Sequence, residues 1–395
     1  MDLGLLLVGG GVAVALAAAF PQRAVVVAVL VAVFPGIEVA PAVGVLLAVT
    51  LGVGLRYLGR LGELGRPAVL LAALVVLLLV TTAINPTPRF LGADVARNHL
   101  IASLAPMVFA FAVGLAQVPA RTIRAALASA GGVASVWLIV MSEGTTTGRL
   151  RTEELNENVV GYIGALTVVS ALACWTIRPN LLCGLGALVG AVPLVLSQSR
   201  GALVAMVVGL FALWVSQQRS SWRGLIMMFA PVAVFVVWPL VVGTTQFYFS
   251  RRSAVGDDGT YRLDLAQLAV QSVRESPLTG IGWRGFPDVS LIALGRASNT
   301  HNEYLRVAVE AGLPALLLML AVGWMVLRSR AQAQDKAILL AGAVAFGFNN
   351  AMSNPSVALF VWVPLAVCLW SNTTKQELGK GWTASDDVLH PPIRR

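Results

Sequence analysis

Thirteen apolar stretches, most of them close to the thickness of a bilayer, constrain the fold more than any other feature of this chain. They run over 3–19, 24–36, 41–55, 67–84, 99–116, 121–141, 158–177, 180–197, 200–216, 223–243, 304–327, 336–352 and 355–371. Crossing the hydrocarbon core takes roughly 20 residues of helix. Backbone polar groups cannot be left unpaired in lipid, so such stretches form helices or a closed barrel. The alternation of barrel strands is absent, which leaves helices. Segments 24–36 and 41–55 are short and are separated by Pro35, Gly36, Glu38 and Pro41, so they form two half-helices or one broken helix. The expected fold is therefore all-α: a polytopic integral membrane protein with 12 or 13 transmembrane helices and one structured outer loop containing a surface helix. Segment 3–19 has no Lys or Arg before it, whereas a signal peptide wants a basic start. It is expected to be a retained first helix.

Charge content agrees. Only 12% of residues are charged and 57% are hydrophobic, against about 25% charged in a soluble domain. The formal charge of +9 would suit nucleic acid, but there is no basic soluble domain to bind it. The basic residues fall instead in short connections: Arg56, Arg60 and Arg66; Arg121 and Arg124; Arg178; Arg219 and Arg223; Arg328, Arg330 and Lys336; and the tail residues Lys375, Lys380, Arg394 and Arg395. These are alternate connections, so they share one side, which the positive-inside tendency makes cytoplasmic. The resulting organisation is an N-terminal bundle over 1–243, an outer loop over 244–303, C-terminal spans over 304–371 and a cytoplasmic tail over 372–395. Cys174, Cys183 and Cys368 lie inside apolar segments with no metal-binding spacing, as small apolar fillers.

Three polar motifs fall on the outer side. Ser298-Asn299-Thr300-His301-Asn302-Glu303 runs straight into segment 304–327, and His301 is one of 3 histidines in the chain. An imidazole there can take a proton near neutral pH, where lipid-borne and water-soluble substrates both reach it. Ser197-Gln198-Ser199-Arg200-Gly201 places an arginine among small residues at the mouth of a helix pair. A guanidinium fork suits phosphate, although a snorkelling anchor is the competing reading. Asn156-Glu157-Asn158 opens segment 158–177, where an asparagine caps the helix or bonds sugar hydroxyls. Asp257-Asp258 reads as a solvated turn, since nothing near it completes a metal site. Within the outer loop, residues 260–275 place Leu263, Ala266, Leu268, Ala269 and Val273 at helical spacing. The opposite face carries Arg262, Asp264, Gln267, Gln271 and Arg274, and a glycine-rich turn, LTGIGWRGF, follows Pro277.

The chain resembles the O-antigen ligase and O-antigen polymerase family of bacterial membrane proteins. Three elements carry the resemblance: SQSRGALVAMVVGL at 197–210, YRLDLAQLAVQSVRESPLTGIGWRGF at 261–286 and SNTHNEYLRVAVEAGLPALLLML at 298–320. The resemblance implies the fold of the membrane-embedded C-type glycosyltransferases. It also implies transfer of a saccharide from an undecaprenyl-diphosphate carrier to a saccharide, lipid A core or other glycan acceptor, with neither metal nor cofactor. By matched position, His301 becomes the base and Arg200 and Arg262 the diphosphate ligands, with Asn158, Asn302 and Tyr304 as candidate sugar or acceptor contacts. Membrane lipids are the remaining partner, and nucleic acid is not one. The main alternative is a transporter or flippase of a lipid-linked or anionic solute, which would set ionisable residues at mid-membrane depth.

Overall fold

A computed structural model describes residues 3–85, 88, 90, 92–144, 150–152, 155–216, 258–349 and 351–370. The expected span at 223–243, Asp257 and the tail at 372–395 lie outside the described residues. The chain is an all-α membrane protein. Among the described residues nine α-helices precede residue 217: α1 (Leu3–Ala19), α2 (Pro21–Val33), α3 (Val39–Arg56), α4 (Gly65–Ile84), α5 (Gly92–Ala116), α6 (Ala120–Met141), α7 (Glu157–Ile177), α8 (Leu181–Ser197) and α9 (Arg200–Ser216). Six follow residue 257: α10 (Asp258–Glu275), α11 (Phe286–Leu294), α12 (Glu303–Ala311), α13 (Leu313–Arg328), α14 (Ala333–Phe348) and α15 (Pro355–Trp370). A two-residue antiparallel ladder pairs Glu143–Gly144 with Leu150–Arg151. Among the described residues, 5 helical stretches are long and apolar enough to cross a membrane unaided, with several shorter apolar helices beside them.

The elements at 24–36 and 41–55 are two separate helices, α2 and α3, since Pro35, Gly36 and Pro41 interrupt the ladder between them. Helix α5 begins several residues before the expected 99, which brings Arg97 and Asn98 into a helix. The expected single span at 304–327 is two helices. Gly312 takes φ +87°, a region L side chains avoid, and Pro314 sits in the first turn of α13. The break leaves α12 as a separate short helix packed by α10, α11 and the glycine-rich turn.

The two ends of the bundle are fixed by contacts between distant connections. At one end, Gln22 donates to Ala116 O at 3.2 Å, Trp370 Nε1 donates to Leu64 O at 2.9 Å, and Lys336 closes the α13–α14 turn through Leu327 O and Ser329 O. Arg124 and Asp335 form a 2.7 Å ion pair there, with both side chains almost fully buried. Arg124 therefore lies inside the bundle instead of in a solvated loop. At the other end, Asn85 donates to Thr279 O at 3.1 Å, and Phe90 N donates to Asp288 at 2.8 Å. These bonds tie the α4–α5 connection to the glycine-rich turn and α11.

Helix α10 forms where periodicity placed one, and Leu268, Ala269 and Val273 of its expected apolar face pack inward. Leu265 and Ala269 are the fully buried residues, joined by Phe286 and Val309 in a small second core. Leu263, expected on the apolar face, is 58% exposed.

Candidate functional site

The serines around Arg200 are structural. Ser197 and Ser199 are buried; Ser199 Oγ accepts from Ala202 N at 3.4 Å, and Ser197 Oγ donates to Leu194 O at 2.9 Å. Gln198 takes the left-handed conformation that ends α8. The result is a tight reversal that presents Arg200, exposed, at the first position of α9. Gly161 on α7 is pressed against this reversal, so that an added Cβ would meet Ser199 Cβ at 2.8 Å. Gly201 lies against the Tyr162 hydroxyl and the Phe348 side chain. The close approach of α7, α9 and α14 at this end depends on both glycines.

Arg262 lies exposed on the first turns of α10, which packs against α12. Asn156 caps α7, its Oδ1 accepting from Asn158 N and Val159 N at 3.1 Å. Asn158 itself is half-buried in the first helical turn.

The third motif is built around a strained residue. His301 adopts φ +54°, with Nε2 3.5 Å from the Ser298 hydroxyl. It does not cap the following helix. Asn302 does, accepting from Leu305 N at 3.1 Å. Tyr304 donates its hydroxyl to Ala343 O at 2.8 Å on α14. Its ring also forms one end of an apolar groove of about 460 Å³, lined by Met319, Trp324, Phe346 and Trp362. A continuous path of contacts now joins the motifs: Arg200 to Gly201, Gly201 to Tyr162 and Phe348, and α14 to Tyr304 beside His301.

Charge at this end goes beyond the residues that sequence reasoning singled out. Arg306 on α12 is buried between Glu303 at 3.3 Å and Glu310 at 3.0 Å, and lies 4.1 Å from the centre of the Trp283 ring. Glu303 also accepts from Met352 N. Arg284, at φ +65°, donates to Asn299 Oδ1 at 2.7 Å, two residues from His301. Burial, and after it the charge of Arg306, hold the Arg284 guanidinium below its usual pKa range. His99 lies half-buried on α5. The signal for Glu303, Arg306 and Glu310 was present in the sequence: three charges at i, i+3 and i+7 at the head of an apolar stretch.

Backbone strain has the same address. Among the described residues, the non-glycine residues at positive φ are Gln117, Gln198, Arg284 and His301. Gln198 and Gln117 end helices, whereas Arg284 and His301 lie in turns held by tertiary contacts. Such conformations cost about 1–3 kcal/mol and concentrate at functional sites.

Fold and site together define a helical membrane protein that gathers arginines, a strained histidine and a buried ion cluster at one end of its bundle. Residues 185–320 match the family model described as O-Antigen ligase. The match runs from α8 into α13 and takes in Arg200, Arg262 and His301, so the likeness to the O-antigen ligase and polymerase family holds over the part of the chain that carries those residues. It supports a role in saccharide transfer of that kind, on lipid-linked glycans. No curated protein matches the chain.

Proposed function

We propose that this protein transfers a saccharide from an undecaprenyl-diphosphate donor to a saccharide or lipid-anchored acceptor. The reaction takes place at the outer face of the bacterial inner membrane, with inversion at the anomeric carbon and without a metal. What supports this reading is that Gly201, beside Arg200, lies against Tyr162 and Phe348, that Tyr304 bonds Ala343 on the helix that ends at Phe348, and that α10, which carries Arg262, packs on α12. In this arrangement the bundle has 13 spans, counting the expected one at 223–243; the loop 244–303 faces outward and the tail 372–395 is cytoplasmic.

The chemistry follows from the residues. The acceptor oxygen attacks the anomeric carbon as the bond from that carbon to the diphosphate oxygen breaks, and the electron pair leaves with the diphosphate. Arg200 and Arg262 are fixed cations that stabilise the departing charge. The acceptor hydroxyl grows acidic as it attacks, and the His301 imidazole takes its proton. The left-handed backbone of His301 and the cap at Asn302 fix where the ring stands, so little reorganisation is left for the reaction step. The apolar groove beside Tyr304 offers a membrane-facing path for a polyprenyl chain.

Reconstituted protein, given an undecaprenyl-diphosphate saccharide and an acceptor glycan in the presence of chelator, tests this reading. It predicts a glycan of inverted anomeric configuration together with free undecaprenyl diphosphate. Movement of the intact donor across the bilayer, with no new glycosidic bond, would establish transport instead.

A further inference from the structure

The loop that carries His301 is tied to elements around it. Ser298 N donates to the Ser290 hydroxyl oxygen at 2.8 Å, and that hydroxyl donates to Ser298 O at 3.1 Å, which pins Ser298 to α11. Arg284 Nη1 donates to Asn299 Oδ1 at 2.7 Å, which pins the next residue to the glycine-rich turn. Thr300 Oγ1 donates to Asn302 O at 2.8 Å and closes the loop onto the cap of α12. His301 stands inside these ties at φ +54°, with the Ser298 hydroxyl 3.5 Å from Nε2.

The tie from Arg284 has a fixed base. Ile281 N and Gly282 N donate to Val309 O and Glu310 O at 2.9 and 3.0 Å, so the turn is bonded to the last residues of α12. Gly280, at φ +63°, lies so close that an added Cβ would meet the Glu310 carbonyl carbon at 2.5 Å. Gly285 N donates back to Gly282 O at 3.0 Å, and Phe286 is buried, so Arg284 is held from both sides at φ +65°. Helix α12 has 9 residues, a rise of about 13 Å. The turn is thus bonded to the C-terminal end of α12, and the Arg284 side chain reaches the loop at its N-terminal end. Helix, turn and loop form a closed circuit, and the Arg284–Asn299 bond is the link that closes it. That bond has the length of a charge-assisted one. A left-handed backbone at a non-glycine residue persists only where its surroundings over-determine it, and the circuit does so for both Arg284 and His301.

We propose that Arg284 is a positioning residue for His301: through Asn299 it fixes the loop so that the imidazole stands where the acceptor proton is released. Arg284 takes no proton in this role. The effect on turnover rests on the reading of His301 as the base, whereas the coupling from Arg284 to the ring does not.

The test is a double-mutant cycle on the full-length protein, comparing wild type, Arg284→Met, Asn299→Ala and the double variant. Each is read for turnover with an undecaprenyl-diphosphate saccharide and acceptor glycan, for binding of undecaprenyl diphosphate, for thermal midpoint, and for the His301 ring signals by NMR with isotope-labelled histidine. The chain has 3 histidines, and the His301 signals are those lost in His301→Asn. Each single variant is expected to lose about ten- to a hundredfold in turnover, the scale of a misplacement of about 1 Å at a reacting group, with undecaprenyl diphosphate bound as in the wild type. Both are expected to shift the His301 signals alike. The double variant is expected to do no worse than either single one, because both remove the same bond. Losses that multiply in the double variant overturn the proposal, since two independent effects are then at work. Unchanged turnover and ring signals in Asn299→Ala also overturn it; this variant keeps Arg284 and decides the matter even where Arg284→Met does not fold. A lowered thermal midpoint with unmoved ring signals assigns the bond to stability alone and overturns the positioning role. A wild type without turnover, in which both variants still shift the His301 signals alike, supports the coupling and refutes the transferase reading.

Discussion

Replacing Arg306 by leucine removes the only guanidinium that the Glu303 and Glu310 side chains bond within α12. Their relative exposures are 0% and 1%, and that of Arg306 is 1%, so water cannot take over the lost bonds. Glu303 keeps its backbone donor at Met352, while Glu310 loses its ion-pair partner. Breaking a buried ion pair from one side costs about 3–5 kcal/mol, because the remaining charge stays desolvated. For a chain of this size each kcal/mol moves the melting midpoint by about 2 °C, so Arg306→Leu is expected to lower it by about 6–10 °C. Loss of the Trp283 stacking contact acts in the same direction. The neutral set Arg306→Met, Glu303→Gln and Glu310→Gln is expected to recover most of that loss, since it leaves no buried charge within α12. Thermal midpoints by fluorescence-detected size-exclusion chromatography in one fixed detergent measure both. A single variant melting within about a degree of wild type would refute the reasoning. So would a triple variant no more stable than the single one.

Arg124→Met should destabilise the opposite end by a comparable amount, and adding Asp335→Leu should restore it, again read by thermal midpoint. Gly201→Ala should cost about 1–3 kcal/mol by overpacking against Tyr162 and Phe348, and Tyr162→Phe should relieve part of that cost by removing the hydroxyl in the way. Arg200→Lys and Arg262→Lys should each lower transfer while keeping charge, because the bidentate fork is lost; full activity in either, assayed with a lipid-diphosphate donor, argues against a diphosphate contact there. Cysteine placed at Ile292, 86% exposed, should be labelled from outside intact cells, and cysteine at Ser385 should not. Ser290 in the same loop is a poor labelling site because it is buried and bonded to Ser298.

Apolar runs and their breakers made most of the helices legible, because lipid leaves the backbone no other way to pair. The break at Gly312 was written as Gly-Leu-Pro, but the surrounding apolar residues read as one continuous span. The place of Leu265, not Leu263, on the buried face of α10 escaped because the two are equally apolar, and only contact with Phe286 and Val309 decides which is buried. The Arg200 and His301 motifs were legible as polar clusters at segment ends. The Arg124–Asp335 pair was not, since it is tertiary, joining residues 211 apart. The serines beside Arg200 read as space for a ligand, and the structure gives them to helix ends instead.

The central claim is that His301 takes the acceptor proton. The measurement that tests it most directly is the turnover of purified His301→Asn with an undecaprenyl-diphosphate saccharide and acceptor glycan, under metal-free conditions, beside donor binding on the same sample. Asparagine tolerates the left-handed backbone that His301 occupies, and Asn302 still caps α12, so the local fold is preserved. The account predicts a loss of about 10²–10⁴-fold in turnover with donor binding retained. Turnover near that of the wild type would contradict it.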